Sequence, residues 1–431
     1  MSISISQNAN KNYLAKIVKI SSLEKHPNAD RLQVTSVDFQ NVIVGLDAKV
    51  GDYYVYFPIE SQINEEFLSF TNSFREKELN TDKEKSGFFE KNRRVRAVKL
   101  RGEKSMGYMV PLEHVEAFSK VNLKEFEGQR FDTIRDICFV KKYVVKKKYP
   151  SQSSKQGKKP RISRLVDGQV HLHIDTDHFK TNAYKVKPSD LISITYKLHG
   201  TSFWVSNILV KKRLNLFEKF LKFLRISIID TEYDCVYGSR KVVKNEYETK
   251  QKEGFYGHDI WGDIAEEVKE LVPKGYTLYG ECVGFLKNGK PIQKDYDYGC
   301  QEGKHKIYID RITITNADGT VYNLPTVDCN EFCEKNGLYY VPLFYYGYAK
   351  DWNPDLDLEE KWTEEFVKSL EAVYTEKRCN LCLNNVPAEG VVIRKESSPY
   401  AFKAYKLKSF AFYEHESKLL DKCEENIEDN Q

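Results

Sequence analysis

Lys197 lies in the run Thr195-Tyr196-Lys197-Leu198-His199-Gly200-Thr201-Ser202, a lysine presented just before a glycine corner. An amine in that setting can act as a covalent nucleophile. It must be neutral when it attacks, so desolvation or neighbouring cations have to depress an ordinary lysine pKa of about 10.4. Four further stretches carry reactive side chains in chain order. Tyr237-Gly238-Ser239-Arg240 ends in a planar guanidinium suited to ribose and phosphate oxygens. Tyr276-Thr277-Leu278-Tyr279-Gly280-Glu281 delivers a carboxylate, and Ala388-Glu389-Gly390-Val391-Val392-Ile393-Arg394 a second one ahead of a β-branched run. Lys403-Ala404-Tyr405-Lys406-Leu407-Lys408 places two cations two residues apart.

The elements that must hold these groups read as strands. Ile192, Ile194, Tyr196 and Leu198 alternate with smaller or polar residues, and Phe203-Trp204-Val205 opens a second run beyond the corner. Lys197 is therefore expected near the end of a strand, on a rigid support. Lys406 and Lys408 share one strand face because side chains alternate with a period of two.

In their order and chemistry these stretches resemble the covalent nucleotidyltransferase superfamily of polynucleotide ligases and capping enzymes. His199 stands where DNA ligases and capping enzymes usually have Asp, which is similar to the nick-sealing RNA ligase branch. The resemblance implies that Lys197 attacks the α-phosphorus of ATP, forming lysyl-AMP and releasing pyrophosphate. It further implies that Arg240 and Glu281 hold the ribose, that Lys406 and Lys408 neutralise the α-phosphate, and that Glu389 positions Mg²⁺ or Mn²⁺. Tyr196, which replaces an acidic residue of many members, joins His199, Gly200 and Tyr308 as expected nucleotide contacts. Tyr308 is the nearest match to the base-stacking aromatic, in Ile307-Tyr308-Ile309-Asp310. The implied partner is RNA with 3′-OH and 5′-phosphate ends, a nicked duplex among the candidates. A DNA ligase, a capping guanylyltransferase and a noncatalytic RNA-binding protein remain open alternatives.

The first third reads as a separate small barrel. Short strands are punctuated by Gly and Pro, and His26-Pro27-Asn28-Ala29-Asp30-Arg31-Leu32 and Leu100-Arg101-Gly102-Glu103-Lys104-Ser105-Met106-Gly107 resemble the OB-fold tRNA-binding domains attached to aminoacyl-tRNA synthetases. OB folds bind oligonucleotides along a sheet face. In an RNA ligase group similar to this chain, such a domain precedes the catalytic one, whereas DNA ligases and capping enzymes carry theirs after the lysine pair. The expected fold is α+β: an OB-like domain over 1–120 with an inserted polar loop near 61–95, a basic linker over 121–166, a nucleotidyltransferase domain of antiparallel sheets flanked by helices over 167–413, and an acidic helical tail over 414–431. Arg93-Arg94 or Arg101 are expected to help orient the leaving pyrophosphate.

Composition narrows the class without selecting it. The chain of 431 residues is 41% hydrophobic and 13% aromatic with a net charge of +4, which excludes a disordered protein. From Ile137 to Val166 there are ten Lys or Arg and no Asp or Glu, including Lys146-Lys147-Lys148 and Lys158-Lys159, a stretch that attracts phosphate. Between Lys211 and Arg225, Leu214, Phe217, Leu221 and Leu224 recur at helical spacing, which predicts an amphipathic helix packed on the catalytic domain. A further helix is expected over Glu359 to Tyr374. Nine cysteines and a polar start point to a reducing, cytoplasmic setting. The spacing of Cys329/Cys333 and Cys379/Cys382 falls short of a four-thiolate site, so zinc is not expected there. No apolar run reaches a membrane span, no membrane partner is expected, and a monomer is.

Overall fold

The structure is a computed structural model that describes residues 3–145, 164–244, 258–356, 361–396 and 398–421. Two compact units emerge. The first holds the described residues up to 145 together with Asp177–Ala183 and the helix Phe410–Asp421; the second holds the remainder.

Period-two alternation builds the first unit. Its central sheet contains β1 (Ala15–Lys19), β4 (Tyr53–Pro58) and β5 (Gly107–Pro111), with β2 (Leu32–Val37) and β3 (Gln40–Gly45) paired in a separate sheet. Ala15, Ile17, Val55 and Phe57 point into one core, while Val18, Tyr54 and Tyr56 point into another with Val37, Val42 and Val44. The central sheet is thus covered on both faces. The two OB-like motifs meet through His26. Asn28 N–H donates to its Nδ1 at 3.1 Å, so Nε2 carries the proton and donates to the Leu100 carbonyl at 3.1 Å. His26 is a buried turn residue.

Two expectations about this unit change, and a third is refined. Residues 61–95 are folded, with a helix over Glu65–Phe70 and Phe67, Leu68, Phe74 and Phe89 buried. Asn80 organises the segment by bonding the Phe74 amide and carbonyl, each at 2.9 Å; the apolar anchors are simply too widely spaced among charges to show a period. Residues 121–142, assigned to a linker, place Leu123, Phe131, Ile134 and Phe139 in the first core, and β6 (Val140–Lys142) pairs with Ser61–Ile63. Lys146-Lys147-Lys148 and Lys158-Lys159 lie outside the described residues. The helix expected from Glu414 starts earlier, over Phe410–Asp421, and buries Phe410, Phe412 and Leu420; residues 422–431 lie outside the described residues.

The second unit is a pair of antiparallel sheets. In the first sheet, β7 (Leu191–Lys197) lies between later strands. In the second, β8 (Thr201–Lys211) pairs with β9 (Thr231–Ser239) on one side and β10 (Tyr276–Gly284) on the other, and β11 (His305–Thr315) follows β10. The first sheet runs β14–β13–β7–β12, where β12 is Leu343–Tyr348, β13 Gly390–Lys395 and β14 Lys403–Lys408. Helices Ile260–Val268, Thr326–Lys335 and Trp362–Tyr374 flank the sheets. The helix predicted from Glu359 starts at Trp362, and 357–360 lie outside the described residues. The helix predicted between Lys211 and Arg225 forms over Leu216–Phe223 but buries none of its residues. It is the connection between the ends of β8 and β9, where Lys211 pairs with Thr231. No helix among the described residues is long and apolar enough to cross a membrane.

Arg94 is the main polar strut of the first unit. Its fully buried guanidinium lies 3.3 Å from Glu60 Oε1 and 2.6 Å from Asp421 Oδ1, and it donates to the Ser417 carbonyl at 3.1 Å. It is therefore committed to holding the C-terminal helix and is not the leaving-group arginine anticipated from sequence. Arg94→Ala is expected to destabilise the protein by about 3–5 kcal/mol, because it leaves the Glu60 carboxylate buried and uncompensated, and urea unfolding will measure it.

Candidate active site

Strand register brings the reactive residues together. Lys197 pairs with Gly390 and Gly390 with Lys408; Thr195, Val392 and Lys406 are paired one step along, and Ser193 with Arg394 a further step. Paired residues share a face, so these side chains all look one way. Facing them from the second sheet are Ser202, Glu281, Asp310 and Arg311. Between the sheets lies a cleft of about 860 Å³, also lined by Arg240, His173, Thr326, Tyr340 and Phe402.

Glu389 anchors the floor. Its buried carboxylate presents Oε1 at 2.9 Å from Lys197 Nζ and 2.8 Å from Lys408 Nζ, with Oε2 3.9 Å from His199 Nδ1. The next residue, Gly390, has φ +138°, and a Cβ on it would stand 2.0 Å from the Leu407 carbonyl oxygen. Only glycine permits the strands to approach so closely there. The corner after Lys197 is fixed in the same way. A Cβ on Gly200 would meet the Cys282 carbonyl oxygen at 2.4 Å, and the Gly200 carbonyl accepts from Gln293 Nε2 at 2.6 Å. The His199 amide donates to the Tyr298 hydroxyl at 2.7 Å, and its ring packs edge-on to Tyr296.

The opposite wall combines carboxylates and guanidiniums. Ser202 Oγ donates to Glu281 Oε1 at 3.2 Å, and Arg240 Nε donates to Asp175 Oδ1 at 2.7 Å. Burial works against the Asp175 charge, yet Arg240 holds its carboxyl below the ordinary value. Between Tyr279 and Gly280 the β10–β11 register shifts, leaving Asp310 as the extra residue of a bulge that re-aims the strand toward the cleft. The Arg311 guanidinium stacks between Tyr279 and Phe402, 4.6 Å from each ring centroid. Arg311 Nη1, Arg394 Nη1 and His173 Nδ1 are buried without a hydrogen-bond partner among the described residues.

Of the residues expected from sequence, Lys197, Arg240, Glu281 and Lys406 line the cleft. Glu389 and Lys408 lie beneath Lys197, and His199 and Gly200 shape the corner rather than the lining. Two expectations are corrected. Tyr196 borders the cleft, but its ring turns to the other face of the sheet, where it is buried against Phe344; a strand neighbour of Lys197 must point away from it. Tyr308 is buried beside Tyr339, 5.5 Å between ring centroids, and does not line the cleft. Sequence reasoning missed His173, Asp175, Arg311 and the cleft-facing role of Arg394. The alternation of His171, His173 and Asp175 with Leu172 and Ile174 was the available clue to the first two. Cys329 and Cys333 are free thiols that burial pushes up to about 12. Among the described residues no group of three or more His, Cys, Asp or Glu side chains is arranged to hold a metal ion by itself.

A strand-borne lysine over a carboxylate thus faces a cationic cleft between antiparallel sheets. The sequence model of the RNA ligase family matches residues 190–408, and an OB-fold domain model matches residues 14–112. The chain belongs to the RNA ligase family. Among solved structures it is similar to Naegleria gruberi RNA ligase with pyrophosphate, at 17% identity and a TM-score of 0.58 over 94% of this chain and 99% of that one. It is likewise similar to a lysine-to-alanine variant of that ligase with ATP and manganese, at 17% identity and a TM-score of 0.57 over 93% and 98%. No curated protein matches the chain.

Two titrations in the cleft run in opposite senses. Burial, followed by Arg240 and Arg311, lowers His173 from 6.5 to about 3. The unfolded chain then binds the extra proton, and this contribution to stability is lost as pH falls through that window. Burial instead raises Asp310 from 3.8 to about 6. There the folded chain binds the extra proton, so stability declines as pH rises across the window. Asp310→Asn should therefore gain stability relative to the parent between about pH 4 and pH 6, whereas His173→Asn should lose less on acidification, both read from denaturant midpoints against pH.

Proposed function

We propose that this chain is an ATP-dependent RNA ligase that joins RNA 3′-OH and 5′-phosphate ends through lysyl-AMP and AMP-RNA intermediates. The observation that carries the reading is the Lys197–Glu389–Lys408 cluster beside the cleft, with Lys406 alongside.

Lys197 Nζ attacks the α-phosphorus, a P–N bond forms, the bond to the bridging oxygen breaks and pyrophosphate leaves. Glu389 is within reach to take the proton that the amine must shed. Lys406 and Lys408 stabilise negative charge that grows on the α-phosphate, and Arg240 and Glu281 hold the ribose. Arg394, paired with Ser193, lies roughly 13 Å along the sheet from Lys197 at 3.3 Å per residue, which suits it and Arg311 to the far, base end of the nucleotide. A divalent ion, when bound, supplies further charge neutralisation on the phosphates. Such an ion needs only one or two carboxylates beside phosphate oxygens and water, a demand that Glu389 meets. The AMP then passes to an RNA 5′-phosphate, and the 3′-OH displaces it to form the phosphodiester. The first unit grips the RNA through its OB fold.

Intact mass after incubation with ATP and Mg²⁺ tests the first step. The parent chain should gain an AMP-sized adduct and Lys197→Ala none, with Lys406→Ala slowing adduct formation by roughly 10²–10³-fold. An adduct that survives Lys197→Ala would sink the mechanism. GTP in place of ATP, and nicked RNA against nicked DNA, separate the ligase reading from a capping or DNA-joining one.

A further inference from the structure

The connection between β8 and β9 carries an apolar surface that the second unit leaves uncovered. Its helix, α1 (Leu216–Phe223), exposes Leu216 by 86%, Phe217 by 67%, Phe220 by 55% and Phe223 by 81%, and Ile229 beyond it by 81%. Positions 216, 217, 220 and 223 fall on one helical face, continued by exposed Leu224. Leu221, on the other side, is half-buried.

This presentation is built. Asn215 and Glu218 form a reciprocal capping box, each backbone N–H donating to the other's side chain at 2.8 Å. At the far end Arg225 adopts φ +57° and the Ile226 N–H donates to the Leu221 carbonyl at 3.0 Å, a Schellman closure. Contiguous exposed apolar surface of this kind marks an interaction site.

Charge identifies the partner. Between Lys211 and Asp230 there are six cations and two acids. Both acids are already engaged within the hairpin, Glu218 with Lys212 at 2.6 Å and Asp230 with Lys222 at 2.7 Å. We propose that this hairpin docks the protein on an anionic phospholipid surface, its Leu and Phe side chains entering the headgroup boundary while the flanking lysines meet lipid phosphates. A nucleic-acid strand would satisfy the cations but leave Leu216, Leu224 and Ile229 in water, since aliphatic side chains offer no ring on which bases stack. A bilayer surface satisfies both features. The eight-residue helix is far short of the roughly 20 residues that a span requires, so the contact is interfacial and reversible.

Flotation of the full chain with phosphatidylcholine vesicles, with and without about 30% phosphatidylserine, tests this. Binding to the anionic vesicles should exceed that to the neutral ones by roughly tenfold and weaken as salt rises. Phe220→Glu with Phe223→Glu should abolish it, and Lys211→Glu with Lys219→Glu should reduce it, at unchanged circular dichroism and thermal midpoint. Absence of flotation, equal binding to both vesicles, or flotation unaffected by the Phe substitutions would each overturn the proposal. So would a self-association or an RNA affinity that the Phe variants abolish while anionic vesicles bind neither protein.

Discussion

The catalytic unit depends on the contact between Gly390 and the Leu407 carbonyl. A side chain at that point has no room, and its absence lets β13 run close beside β14 while still pairing with β7. The consequence is that Lys197 and Lys408 stand abreast and Glu389, one residue earlier, falls between them. A lone buried carboxylate costs several kcal/mol in desolvation, and breaking a buried pair costs more than the pair itself contributes. Two ammonium groups on one oxygen, with His199 nearby, offset that cost. Three residues distant in sequence are thereby held as one electrostatic unit, and the geometry of the cleft follows from it.

The same burial that forms this cluster polarises the rest of the cleft. Lys197, Lys406, Arg240, Arg311 and Arg394 outnumber the carboxylates around them, Glu281 and Asp310 in the lining with Asp175 on Arg240 and Glu389 on Lys197. The chain's net charge of +4 conceals this concentration. In such a field the neutral form of His173 is favoured, and Asp310 retains its proton to about pH 6 because burial outweighs its cationic neighbours. A site of this kind, with buried guanidinium N–H groups lacking acceptors, is complementary to an acceptor-rich anion such as a nucleotide.

Much of this site was legible because strands impose a period of two. Lys197 near a strand end, Lys406 and Lys408 on one face, and Glu389 beside the Gly390 corner all follow from residue type plus alternation. The face of Tyr196 followed from the same rule, since it adjoins Lys197, but analogy with the acidic residue of other members pointed it inward. Register could not be read from sequence. Arg394 enters the cleft because it pairs with Ser193, and Asp310 because a bulge adds one residue to β11; neither pairing leaves a trace in a single strand's pattern. His173 and Asp175 come from a segment without strand partners. In the first unit, the anchors Phe74, Phe89, Phe131 and Phe139 are too irregularly spaced for periodicity to find, so folded segments read as loop and linker.

Helical periodicity has a related limit. The spacing of Leu214, Phe217, Leu221 and Leu224 correctly indicates a helix, but the apolar face that forms runs through Leu216, Phe217, Phe220 and Phe223, and spacing says nothing about what covers it. In a connection between two long paired strands, the helix lies where those strands end, and only its inner residues find neighbours. Leu214 and Leu221 are half-buried, while Phe217 and Leu224 are exposed. The capping box and the Schellman closure then stabilise the helix locally, by satisfying its end N–H and carbonyl groups, rather than through tertiary packing. A helix held by its own ends can keep an apolar face in water, which a helix held only by its packing cannot.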